Sequence, residues 1–278
     1  MGHRTRKIVA VALAALAVTT ACGDGGGSAG GGTGDADKPK AISSADEVIK
    51  VVDKGFLTYR FVKPGIESDY VSYGYVIENV TDEVALTVRV KVEFTDAAGD
   101  PIPDLTAGGS EFSVVLPGRQ MGAGRTEQYA GHAPGGVRPT IAGMNVKITM
   151  ITALDTPDGK RFRKPPAPYA ELKTGDPVAG KRSGRAESVA VEVTNTYDVA
   201  LKPKVTAVVR DADGVIVGGM DGVGGGKPMA ELQPGDSAKA TFSDRPIAEP
   251  RLTSGTIECY ADPNLGRMIT RDIVWHEI

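Results

Sequence analysis

The chain is poor in the residues from which most catalytic, metal and nucleic-acid sites are built. Of 278 residues only two are cysteine and three are histidine. They form no Cys-x-x-Cys or His-x-x-x-His spacing, so a zinc site has no support. Aromatic residues make up 5% of the chain, and only short basic runs, such as Lys160 to Lys164, follow the first few positions. A nucleic-acid surface wants a basic stripe with stacking rings, and both are missing. A Gly-x-Ser-x-Gly match does occur, Gly26 to Gly30, but it sits inside the Gly-rich tract with no strand pattern before it or helix pattern after it, so the elbow of serine hydrolases has no support either. No apolar run reaches the roughly 20 residues that a membrane-spanning helix needs. We therefore expect no catalytic residue, no cofactor and no metal ligand.

What is present begins at the N-terminus. Arg4, Arg6 and Lys7 are followed by an aliphatic run, Ile8 to Ala17, then Thr19, Thr20, Ala21 and Cys22. A basic start, a short apolar core and a small-residue end predict a secretory signal peptide over 1–21. With Cys22 directly after the small residues, the stretch resembles the lipobox of bacterial lipoproteins. Thr19 stands where that family usually has Leu or Val. The resemblance implies a diacylglycerol and palmitate anchor at Cys22, and a location on the extracytoplasmic face of the cell membrane. An ordinary secretory peptide cut near Ala21 is the alternative.

Residues 22–40 are rich in Gly, Ser, Asp and Thr and cannot bury a core, which predicts a disordered tether. Such a linker spans roughly 25 Å end to end. Two acyl chains hold a protein durably where one is marginal, at about 0.8 kcal/mol per buried CH₂. Loss of Arg4, Arg6 and Lys7 takes the 32 basic residues to 29, against 35 acidic. With Cys22 acylated, Cys259 has no partner, so no disulfide framework is expected.

The rest of the chain contains a repeat. "VIENVTDEVALTVRVKVEFTDAAGDPI" (76–102) aligns with "VEVTNTYDVALKPKVTAVVRDADGVIV" (191–217). Asn79 matches Asn195, Asp96 matches Asp211, and Gly99 matches Gly214. "LPG" (116–118) answers "QPG" (233–235). A period of about 115 residues in two copies indicates duplication of a whole domain, not a solenoid. Val88, Val90, Val92 and Phe94 alternate with Thr87, Arg89, Lys91 and Glu93, the period-two pattern of a half-buried strand. Short turns such as "DADG" and "LPG" follow at close intervals. The prediction is two tandem immunoglobulin-like β-sandwiches, 41–163 and 168–278, joined by a Pro-rich linker at 164–167. "SSADEVIKVV" (43–52) fits either a capped helix or a strand.

A strand, an Asn-containing turn, an alternating strand ending in Asp, a turn Gly and a later Pro-Gly together resemble the FxLYD-type domain. Its name-giving stretch is "VEFTD" (92–96) in one copy and "AVVRD" (207–211) in the other, with only the Asp kept. The resemblance covers the middle of each copy. It implies an immunoglobulin-like sandwich in an extracytoplasmic bacterial protein and transfers no catalytic residue.

Other motifs give way to simpler readings. "GGMDGVGGGKP" (218–228) has Asp221 where a phosphate loop needs Gly and Pro228 where it needs Ser or Thr, so it reads as a flexible inter-strand loop. "DADG" (211–214) lacks the later ligands of an EF-hand, because Val215 and Gly222 stand in their places. A hairpin turn accounts for it, while weak calcium binding at Asp211 and Asp213 stays open. Cys259 in "GTIECYAD" reads as a buried small hydrophobe rather than a reactive thiol.

Tyr59, Phe61, Tyr70, Tyr73 and Tyr75 concentrate in one short stretch. Core and edge packing explains them; a partner-binding face on the first domain is the sharper alternative. The functional expectation is a non-enzymatic lipoprotein that binds or scaffolds an envelope protein or cell-wall partner and does not bind nucleic acid. A ligand-carrier subunit of an envelope complex and an envelope hydrolase with an unrecognised site are the alternatives.

Overall fold

The computed structural model describes residues 45–63, 66–82, 84–129, 139–154, 170–182, 185–221, 229–242 and 255–265. The expected signal peptide, Cys22, the tether and the 164–167 linker lie outside these residues, as do His132 and His276. Among the described residues, no helix is long and apolar enough to cross a membrane.

The ambiguous 43–52 segment resolves into one 3₁₀ turn, Ala45–Glu47, followed by a strand. Ile49, Val51 and Val52 are β-branched and lose less rotamer freedom on a pleated surface than in a helix. Among the described residues, everything else that is regular is strand. The first copy supplies β1 (Ile49–Lys63), β2 (Ile66–Asn79), β3 (Ala85–Thr95), β4 (Pro101–Val115), β5 (Gln120–Gln128) and β6 (Gly143–Leu154). The second supplies β7 (Lys173–Thr174), β8 (Val178–Arg182), β9 (Arg185–Thr194), β10 (Lys204–Arg210), β11 (Ile216–Asp221), β12 (Ser237–Phe242) and β13 (Thr256–Asp262).

The all-β expectation holds, and the two copies share one topology. Copy one has sheets ordered β1-β2-β5 and β4-β3-β6. Copy two has β12-β9-β7, with β8 also on β9, and β11-β10-β13. Thus β9, β10, β11, β12 and β13 stand where β2, β3, β4, β5 and β6 stand, and β8 with β7 takes the place of β1. Every named pairing is antiparallel.

The repeat extends to single hydrogen bonds. Asn79 donates its side-chain amide to the carbonyls of Val84 (2.7 Å) and Val115 (2.9 Å). Asn195 donates to Val199 (2.8 Å) and Leu232 (3.0 Å). Each Asn Oδ1 also accepts from the N–H two residues on, Thr81 or Tyr197. Both residues are buried, and each ties together the carbonyls of two separate segments at the corner between its two sheets. At the next turn, Asp96 Oδ1 accepts from the N–H groups of Ala98 and Asp100, and Asp211 Oδ1 from those of Asp213 and Val215. Gly99 and Gly214 take φ of 88° and 80°, the left-handed region where a Cβ is resisted.

In copy one, Val71, Tyr73, Tyr75 and Ile77 of β2 meet Val88, Val90, Val92 and Phe94 of β3 between the sheets. The alternation of β3 is obeyed, with Arg89 exposed on the other side. In copy two, Val189, Val191 and Val193 of β9 meet Val205, Ala207 and Val209 of β10. That second core is completed by Ala85, Val114 and Leu154 from the first copy. Where a spacer-joined pair of domains is the sequence expectation, residues 42–278 form one compact unit.

Candidate functional site

The most densely constructed region outside the two cores is the seam between the copies. The face of sheet β1-β2-β5 turned away from its own core packs against the outer face of sheet β11-β10-β13. The contact begins with Val76 of β2 against Val208 and Ile216, with Tyr260 alongside. At its centre side chains disappear. A Cβ on Gly124 would lie 2.7 Å from the Gly219 Cα of the facing sheet. One on Gly74 would lie 2.7 Å from the Gly218 carbonyl oxygen, and one on Gly55 would collide with the Ile216 carbonyl. Gly122 lies under the Tyr260 ring. These glycines permit one sheet backbone to rest on another.

Polar bonds rim this glycine patch. Thr206 Oγ1 donates to the Gly122 carbonyl at 2.5 Å. Arg125 bridges Asp221 on β11 (3.1 Å) and Glu127 on its own strand (3.0 Å). Arg210 on β10 pairs with Asp53 of β1 and, at 2.7 Å, with Glu258 of β13. Hydrogen bonding to Glu258, then to Asp53, pushes the Arg210 pKa further up against the opposing effect of burial. Glu258 also accepts from the Tyr260 hydroxyl at 2.9 Å.

At another point the copies meet through Asp262, at the end of β13, and Ser113 of β4. The Ser113 N–H donates to Asp262 Oδ2 at 2.5 Å and its hydroxyl to Oδ1. The Asn264 N–H donates to Oδ1 at 2.6 Å, and the Leu265 N–H to Ser113 Oγ at 2.9 Å. Asp262 is 3% exposed. Burial pushes its pKa above the ordinary carboxylate value, against the pull of these hydrogen bonds and of Lys204.

The aromatic stretch does not form one face. Tyr73 and Tyr75 are core residues, 2% and 1% exposed, standing edge-on to Phe94 and Phe112 respectively. The cause is strand parity: both share the inward side of β2 with Val71 and Ile77. They are withdrawn from the candidate partner-binding set. Tyr59 and Tyr70 oppose each other across β1 and β2 and stack with centroids 5.4 Å apart. Both are half-buried, on the outward side of the sheet. Phe61 lies in β1, and its side chain is outside the described residues.

The glycine-rich motif is also repositioned. Gly218 to Asp221 belong to β11 and to the seam, not to a loop; 222–228 lie outside the described residues. The signal for this was readable, because isolated glycines inside strand patterns mark close backbone approach. "MGAG" (121–124) carries the matching glycines on β5. Cys259 faces Ala207 across the β10–β13 pair and is partly buried in the second core. Burial pushes its thiol up to about 12, which suits a packing role over a nucleophilic one. Among the described residues, no group of three or more His, Cys, Asp and Glu is placed to hold a metal ion. The Asp211 carboxylate is engaged by its own turn.

No family model matches the chain. No curated protein matches it.

Proposed function

We propose that the chain is an extracytoplasmic lipoprotein, anchored to the membrane through a diacylated Cys22, whose duplicated body is a non-enzymatic binding or scaffold module. The observation that carries this reading is the order of the sequence: a basic start, an apolar run, Cys22 and a Gly-rich tract precede an all-β body. A slack tether of roughly 25 Å would let that body reach past the lipid headgroups. On this reading the body resembles a pair of FxLYD-type domains fused face to face, and its partner is an envelope protein or a cell-wall component.

The composition of the body agrees with that role. The ionised groups at the seam are spent on one another: Arg210 with Asp53 and Glu258, Arg125 with Asp221. They hold two sheets together and present no convergent acid–base pair to a substrate. Of the aromatic stretch, the stacked Tyr59 and Tyr70 are what the proposal retains as partner-facing candidates.

The anchor is tested by replacing Cys22 with Ser and fractionating cells. The variant should appear in the medium or accumulate as an uncleaved precursor, while the parent stays with membranes. If both fractionate alike, the anchor is wrong. In-cell crosslinking of the parent would then identify what the body touches.

A further inference from the structure

We propose that the two outer sheet faces left out of the seam are stacking caps: each replaces the seam's own residues with others that stop a second copy of the chain from joining there. The seam is head-to-tail. The outer face of sheet β1-β2-β5 meets a different face, that of β11-β10-β13, so the contact does not close on itself. A contact of this kind between like units propagates into an open filament unless something stops it. Because the copies share one topology, each carries a counterpart of both seam faces. The seam leaves out the face of β12-β9-β8 in copy two and that of β4-β3-β6 in copy one.

The repeat matches these faces position by position. Across β1, β2 and β5 the seam rests on the row Gly55, Gly74 and Gly124. Counted from Asn79 and Asn195, the same row across β8, β9 and β12 is Val178, Ala190 and Thr241. Each of these carries the Cβ that the seam excludes, and Val178 is 61% exposed. In the next row, the paired Val76 and Gly122 become Glu192 and Lys239, both exposed. On the opposing face, counted from Asp96 and Asp211, the seam residues Val208, Thr206 and Tyr260 correspond to Glu93, Lys91 and Lys147. Glu93 pairs with Lys91 at 3.0 Å and with Lys147 at 2.5 Å. Where copy two lays Val208 and Tyr260 against Val76, copy one thus presents a bonded Lys–Glu–Lys triad. Joining the two left-over faces would press that triad onto Glu192 and Lys239 and take all of these charges out of water. Such a step costs more than pairing returns unless the geometry is excellent. Val178 and Thr241 meanwhile hold the backbones apart.

The test gives each cap the residues of its seam counterpart, in the chain from Gly23 onward. One variant carries Lys91→Thr, Glu93→Val and Lys147→Tyr. The other carries Val178→Gly, Ala190→Gly, Glu192→Val, Lys239→Gly and Thr241→Gly. Circular dichroism establishes that each is folded, and sedimentation equilibrium then gives the mass. The parent and each variant alone should be monomeric, because every one of them keeps at least one cap. An equimolar mixture of the two variants should roughly double in mass and stop at the dimer, since each partner still has a cap on its other side. A mixture that stays monomeric overturns the proposal, and so does association of the parent or of either variant alone. If a variant does not fold, the cap is moved into the seam instead. Val208→Glu puts the counterpart of Glu93 against Val76 in an otherwise unchanged chain, and amide exchange at Gly122 and Gly124 should rise by about tenfold or more. Unchanged exchange there overturns the proposal.

Discussion

Adding a single methyl group at the centre of the seam should do more damage than adding one at a turn where backbone geometry alone resists it. The test is Gly124→Ala. Its Cβ would sit 2.7 Å from the Gly219 Cα across the seam and, within its own sheet, would collide with the Tyr73 carbonyl oxygen and lie 2.8 Å from the Gly74 Cα, whereas carbon atoms pack at about 3.5–4.0 Å. All three obstacles are main chain, so no rotamer change relieves them. The sheets must part by about 1 Å, or β5 must shift against β2. Overpacking of this kind costs typically 1–3 kcal/mol, and the backbone clash places Gly124 near the top of that range, at about 3 kcal/mol. For a body of this size that corresponds to a fall of roughly 6–12 °C in Tm. Gly99→Ala and Gly175→Ala calibrate the measurement. A Cβ at Gly99 meets nothing within 4 Å and suffers only from φ of 88°, which costs on the order of 1 kcal/mol. At Gly175 the nearest atom is the Glu192 Cβ at 3.5 Å, an ordinary contact, so Tm should barely move. Thermal unfolding followed by circular dichroism should rank the three in that order. If Gly124→Ala costs no more than Gly99→Ala, the copies do not rest backbone on backbone, and the seam as described is wrong.

Asn195→Ala should cost about 2–3 kcal/mol by urea unfolding, because it removes three side-chain hydrogen bonds at one corner, to the Val199 and Leu232 carbonyls and from the Tyr197 N–H. Asn79→Ala should match it to within 1 kcal/mol or so, and a large disparity would argue against equivalent corners. Gly214→Ala should cost about 1 kcal/mol through φ of 80° alone, while Asp213→Ala should cost less than about 0.5 kcal/mol. Equal losses, or a calcium-dependent rise in Tm that Asp213→Ala abolishes, would replace the hairpin account with a cation site.

Several of these features could be read before any coordinates. The alternation in 87–94 specified β3 and its buried side, because period two allows only one face to reach a core. The matched Asn, Asp and Gly positions fixed the duplication, since each does a backbone job that few other residues can do. The aromatic stretch misled for the same parity reason. Tyr73 and Tyr75 are two apart and therefore inward together, while Tyr70 falls on the opposite side. Asp262 gave no signal: its burial depends on where β4 of the other copy ends, a contact between residues far apart in sequence. The seam glycines did leave a trace in "MGAG" and "GGM". Glycine is equally the residue of loops, and only pairing through β5 and β11 separates the two meanings.

Scanning calorimetry of the chain from Gly23 onward tests the central claim most directly, namely that two copies of one unit are fused through a glycine-lined seam into one body. Because the second core borrows Ala85, Val114 and Leu154 from the first copy, neither sandwich should melt without the other. The account predicts one transition whose calorimetric and van't Hoff enthalpies agree. Two resolved transitions, each carrying about half of the heat, would contradict it.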